Sequence, residues 1–142
     1  MSERDTGLVA AVSEWVQKAE NDLTSAGMLL RGGAKCPTDT TCFHAQQCVE
    51  KYIKAVLVFR GIAFAKTHNI RLLMELLAGN PALAIEPDMR DRLTDYATVS
   101  RYPCEDEPIS ILEARKAVRV ARMVRRDLRK LLPRMSLRKR AS

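Results

Sequence analysis

The stretch LVAAVSEWVQKAENDLTSAGMLL, residues 8–30, decides the fold. Leu8, Val12, Trp15, Val16, Ala19, Leu23, Ala26 and Leu30 recur in it mostly at steps of three and four. A period of about 3.6 residues gathers those positions on one side, so the stretch reads as an amphipathic helix of roughly six turns. Gly32-Gly33 then stops it, because glycine adopts the backbone of a helix end at least steric cost.

The same period continues to the end of the chain. Cys42, Ala45, Val49, Tyr52, Val56 and Phe59 form a second stripe that closes at Gly61, with Thr38 or Asp39 as its oxygen-bearing cap. Thr67 stands as the cap of a short third helix through Ile70, Leu73, Met74 and Leu77, ended by Gly79-Asn80-Pro81. Pro87 suits the first position of a fourth helix through Met89, Leu93, Tyr96 and Val99, which Pro103 breaks. Glu105-Asp106-Glu107-Pro108 precedes the fifth, and carboxylates suit the positive end of a helix dipole. Ala114, Ala117, Ala121, Val124, Leu128 and Leu131 make its stripe. No segment alternates with the period of a strand.

Five amphipathic helices with connections of roughly 5–10 residues predict an all-α fold, an antiparallel up-and-down helical bundle of about five helices. Residues 1–132 form its single domain, and the Arg/Lys-rich residues 133–142 read as a basic, disordered tail.

Composition narrows the function. Hydrophobic residues are 46% and charged residues 29%, as in an ordinary globular protein. No run approaches the ~18 apolar residues of a membrane span, and Met-Ser-Glu-Arg-Asp does not open like a secretory signal. A cytoplasmic protein without a membrane partner is expected. Cys36, Cys42, Cys48 and Cys104 match neither a disulfide scaffold nor a zinc pattern, and read as reduced thiols. The net charge of +7 is divided: 12 Lys/Arg against 15 Asp/Glu over residues 1–112, then 12 against 2 over residues 113–142. An acidic-leaning body thus carries a cationic C-terminal element.

Two polar faces invite function. On the second helix His44, Gln47, Lys51 and Lys54 lie along one strip, flanked by Gln46 and Glu50. Lysine and histidine donate to phosphate oxygens, so the strip could hold a nucleotide; it could equally be a solvated face with a Glu50–Lys54 pair. His68, at the start of the third helix, could bind an anion, move a proton, or simply form a turn. Arg101-Tyr102-Pro103 sets a guanidinium and a phenol beside a stiff turn, fit either to clamp a phosphate or to end a helix. On the fifth helix Arg115, Arg119, Arg122, Arg126 and Arg129 fall within about 80° of arc, a cationic face for phosphates or an acidic partner. Aromatic residues are only 5% of the chain, which argues against base stacking as the mode of recognition. The G-x-x-x-x-G-K-[ST] and G-x-S-x-G motifs are missing, and there are two histidines in all. No metal, cofactor or nucleophile site is expected.

Four motifs occur in order: Glu14-Trp15-Val16-Gln17-Lys18-Ala19-Glu20-Asn21-Asp22-Leu23, Cys42-Phe43-His44-Ala45-Gln46-Gln47-Cys48-Val49-Glu50-Lys51, Thr67-His68-Asn69-Ile70 with Leu73, and Arg101-Tyr102-Pro103. Together they resemble the HEPN domain, the "higher eukaryotes and prokaryotes nucleotide-binding" bundle, over about residues 12–130. FHAQQ-x-x-EK followed by TH-x-[IL] is the most specific part. The resemblance implies an up-and-down bundle, commonly a homodimer, paired with a small nucleotidyltransferase in systems of toxin–antitoxin type. It also implies nucleotide or RNA as ligand, with His44, Gln47, Lys51, His68, Arg101 and Tyr102 as the matching polar positions. Nuclease members carry Arg-x4-6-His near the start of a late helix, and here no histidine follows an arginine at that distance. A non-catalytic binding module is therefore expected, the alternative being a divergent metal-independent ribonuclease toxin using His44 or His68.

Overall fold

A computed structural model describes residues 2–98 and 108–139. Among them are five α-helices: α1 (Glu3–Leu30), α2 (Thr38–Phe59), α3 (Ile70–Leu76), α4 (Pro87–Thr98) and α5 (Ile111–Arg129). Short 3-10 turns follow α1 at Gly33–Lys35 and α5 at Arg134–Leu137. This is the all-α bundle that the periodicity predicts.

Local chemistry explains most helix ends. α1 begins ahead of its apolar stripe because Ser2 and Asp5 form a reciprocal capping box. Its exit turns at Gly33, whose φ of 56° is the left-handed conformation glycine tolerates. Neither Thr38 nor Asp39 caps α2: Pro37 holds the cap position without a side-chain bond. Asn69, not Thr67, caps α3, accepting from the Leu72 amide at 3.2 Å. Thr67 acts one step earlier, its hydroxyl accepting from the Asn69 amide at 3.1 Å. α4 starts at Pro87 as expected. α5 is capped by Ser110, which accepts from the Glu113 amide at 3.0 Å, while Glu105, Asp106, Glu107, Val99 and Pro103 lie outside the described residues.

The end of the chain differs from expectation. Residues 134–137 form a 3-10 turn with Ser136 fully buried, and Gln17 of α1 donates to the Arg138 carbonyl at 3.1 Å. The charge of this segment suggests disorder, but Met135 and Leu137 punctuate it, and Leu137 packs on the core.

α2 is the central rod. Nearly its whole circumference is buried, including Cys42, Ala45, Val49, Tyr52, Ile53 and Val56, because α1, α3, α4 and α5 all pack on it. Alanines at 114, 117 and 121 give α5 a flat buried edge. α1 and α5 run in opposite directions, since Glu20 meets Arg125 while Gly27 lies against Arg122.

A carboxylate clasps these three helices. Glu20 of α1 accepts from Tyr52 of α2 at 2.5 Å and from Arg125 of α5 at 2.8 and 2.9 Å. Burial alone would raise its pKa, but the bonds from Arg125 and Tyr52 and the nearby guanidinium charges outweigh it and hold it below the ordinary value. A depressed carboxyl stabilises the fold fully above its unfolded pKa, about 4.3, and loses that contribution as pH falls through the folded value. Urea unfolding of the wild type should therefore weaken below about pH 4. Glu20→Gln should cost roughly 1–2 kcal/mol at pH 7, allowing for partial solvent screening, and flatten that acid limb.

Candidate functional site

Positions 44, 47, 51 and 54 of α2 share about 80° of arc. Facing them, α1 presents Trp15 and Asp22, seven residues apart and so within roughly 20° of each other. The antiparallel approach then sets Asp22 beside His44 and Lys51, and Trp15 beside Lys54.

Asp22 has only 12% of its side chain exposed. Its two oxygens are both engaged, Oδ1 by His44 Nδ1 at 2.8 Å and Oδ2 by Lys51 Nζ at 2.5 Å. An ionised carboxylate here requires the imidazole proton on Nδ1. Glu50 is still more buried, at 4%. Gln46 donates to it at 2.8 Å and Lys54 at 3.0 Å, and His68 Nδ1 lies 2.8 Å from its Oε1. Gln47 in turn donates to the Gln46 carbonyl oxygen at 2.6 Å. The Lys54 ammonium also sits 5.6 and 5.7 Å from the ring centroids of Trp15 and Phe64, which pack edge to face. Glu50 and Phe64 thus fasten the segment between α2 and α3, including His68, onto the face of α2.

The structure brings His44, Gln47, Lys51 and His68 to one neighbourhood along α2, but not as a row of free cations. Lys51 and His44 share a single anion, and Gln47 is engaged by Gln46. What stays available is a pair of imidazoles, each fixed at Nδ1 by a carboxylate. Neither Nε2 has a protein partner among the described residues, and His68 is 55% exposed against 27% for His44. Carboxylate anchoring of Nδ1 sets the tautomer and leaves Nε2 as the working edge. Arg101 and Tyr102 lie outside the described residues.

The α5 face also divides. Arg115, Arg119, Arg122 and Arg126 are exposed. Arg129 is not part of that surface: it donates to the Tyr52 oxygen at 3.1 Å and is 3.5 Å from Glu20. Its angle points it toward α1 and α2. Sequence reasoning misses Glu20, Asp22 and Arg125 as anchors, and misses the clasp in which Arg92 and Tyr96 of α4 donate to Glu113 of α5. Asp22 does leave a signal, an acid at the edge of the α1 apolar stripe one heptad after Trp15. Among the described residues no three His, Cys, Asp or Glu side chains gather to hold a metal ion.

Comparison with known proteins shows the family and the fold. The family model of the HEPN domain matches residues 12–131. A Methanocaldococcus jannaschii protein named "Putative toxin MJ1304" is 40% identical over 52 residues, 37% of this chain and 32% of that protein. The matched stretch thus spans about a third of the curated relative's length. The crystal structure of TT1696 from Thermus thermophilus superposes with a TM-score of 0.66 at 27% identity, covering 85% of this chain and 98% of that one. ST0689, described as an archaeal HEPN homologue, gives 0.67 at 28% identity, covering 86% and 98%.

The Asp22 anchor is testable as energetics. Asp22→Ala leaves two donors half-buried without their anion and should cost about 2–4 kcal/mol in urea unfolding. Adding Lys51→Met should recover part of that loss, a coupling that a simple cavity would not show.

Proposed function

The chain belongs to the HEPN family, and on that premise we propose that it is a toxin-like, non-catalytic module that binds a phosphate ester, a nucleotide or RNA, at the polar face of α2. One observation carries the reading: His44 and His68 each have Nδ1 held 2.8 Å from a carboxylate that is nearly out of water. With Nδ1–H given to the carboxylate, each imidazole in its doubly protonated form turns an Nε2–H outward as a donor to a phosphate oxygen. Lys51 and Gln47 act here by fixing that edge, and Arg101 and Tyr102 belong to the proposed ligand set through the family motif. The likeness to a protein named as a toxin supports the same role. As the family resemblance implies, the module forms a homodimer and works in the cytoplasm with a small nucleotidyltransferase. No helix among the described residues is long and apolar enough to cross a membrane.

Titration calorimetry with nucleoside phosphates and short RNA tests the binding. His68→Gln or His44→Gln should each weaken it about tenfold, a loss near 1.4 kcal/mol. Absence of heat with every member of the panel at low salt would end the reading.

The same imidazoles favour a second reading. Two histidines with oriented Nε2 atoms could serve as base and acid in RNA cleavage, one taking the proton of the 2′-hydroxyl and the other protonating the leaving oxygen. His44 and Glu50 are six residues apart on α2, a rise of about 9 Å, so the two imidazoles are anchored at separate points. Incubation with RNA in the presence of a chelator should then give fragments, and either His→Gln variant should abolish them. Undiminished cleavage by the double variant would exclude it.

A further inference from the structure

The four exposed arginines of α5 form a surface that the α2 site does not use. Arg115, Arg119, Arg122 and Arg126 stand at steps of four, three and four, which keeps neighbouring members about 5–6 Å apart in single file. The file is ~16 Å long. No carboxylate lies within ion-pair distance of Arg115, Arg119 or Arg122 among the described residues, and Arg126 meets only the adjacent Asp127, at 3.0 Å. Two acids near the file are committed elsewhere among the described residues: Glu113 to Arg92 and Tyr96, and Glu20 to Arg125 and Tyr52. No aromatic residue occurs anywhere on α5.

We propose that this file is a track for a nucleic-acid backbone. A continuous line of one sign, without stacking rings, suits an equally continuous line of phosphates. At about 3.4 Å per phosphate along one strand of a duplex, the file is long enough for roughly five. Arginine is also the side chain whose planar fork fits phosphate in two hydrogen bonds. The inference rests on the RNA arm of the function proposed above and extends it: α5 holds the strand by charge, whatever group α2 engages.

The test is the salt dependence of binding to a short single-stranded RNA, measured between about 50 and 200 mM salt. In Arg119→Gln/Arg122→Gln the slope of log K against log salt should shrink by about 1.4, near 0.7 for each lost contact. Arg4→Gln/Lys116→Gln removes the same charge away from the file and should keep the wild-type slope. The proposal is overturned if the stripe variant keeps its slope, if the control loses as much, or if the wild type binds no RNA at low salt. It is also overturned if poly-glutamate displaces RNA at matched charge, which would mark the file as a site for an acidic polypeptide. Mononucleotide titration separates the two proposals. If the α2 reading alone fails, mononucleotides give no heat while the stripe variant still loses its RNA slope.

Discussion

The structure depends on Asp22, a carboxylate set between two helices with almost no water around it. Taking such an ion out of water costs several kcal/mol, which only close donors offset. α2 supplies them from positions one heptad apart, His44 to one oxygen and Lys51 to the other. Both oxygens are gripped, so sliding α1 along α2 by one turn, about 5.4 Å, would leave an ion and its partners bare. The register fixed by Asp22 in turn brings Trp15 to Lys54. Lys54 is bound to Glu50, and Glu50 holds His68. The placement of a histidine in a connecting segment thus follows from an ion pair on another helix.

That anchoring changes what the α2 face can do. Its carboxylates neutralise Lys51 and Lys54, so the face has no strong positive field with which to attract a polyanion. It offers oriented hydrogen bonding through His44 and His68. Thiol chemistry is equally withheld from the core beneath it. Burial pushes the Cys42 thiol up to about 12 and raises Cys48 as well, so both remain protonated and unreactive near neutrality. Under the proposed function, specific contact falls to α2 and long-range attraction to α5, so the two are carried by different helices.

The fold is legible because helical periodicity is written into every apolar stripe, and burial of Val12, Val16, Ala19 and Ala26 follows that stripe. Helix ends are less so. Thr67 and Asn69 are both competent caps, and the choice between them depends on the backbone path that His68 and Glu50 impose. For the site, periodicity gives each residue's angle on its own helix but not what stands opposite. His44 and Lys51 are visible as a strip; that both bind Asp22 depends on a partner 22 and 29 positions away. The tail misleads for a related reason. Its charge density masks Ser136 and Leu137, which fold back to the α1 side of the bundle.

Arg129 shows how fine that limit is. On a helical wheel it sits about 60° from Arg126, within the same broad arginine face. Yet Arg126 is exposed while Arg129 reaches Tyr52 and Glu20. Arg125, a further 40° or so around, is the principal donor to Glu20. One side of the cationic arc therefore closes the bundle, and on the other Arg115, Arg119 and Arg122 have no ion-pair partner among the described residues, while Arg126 meets Asp127. The four exposed arginines are what α5 retains after Arg125 and Arg129 have met the structural demand of α1, and charges aligned in single file have a direction that net charge alone does not have.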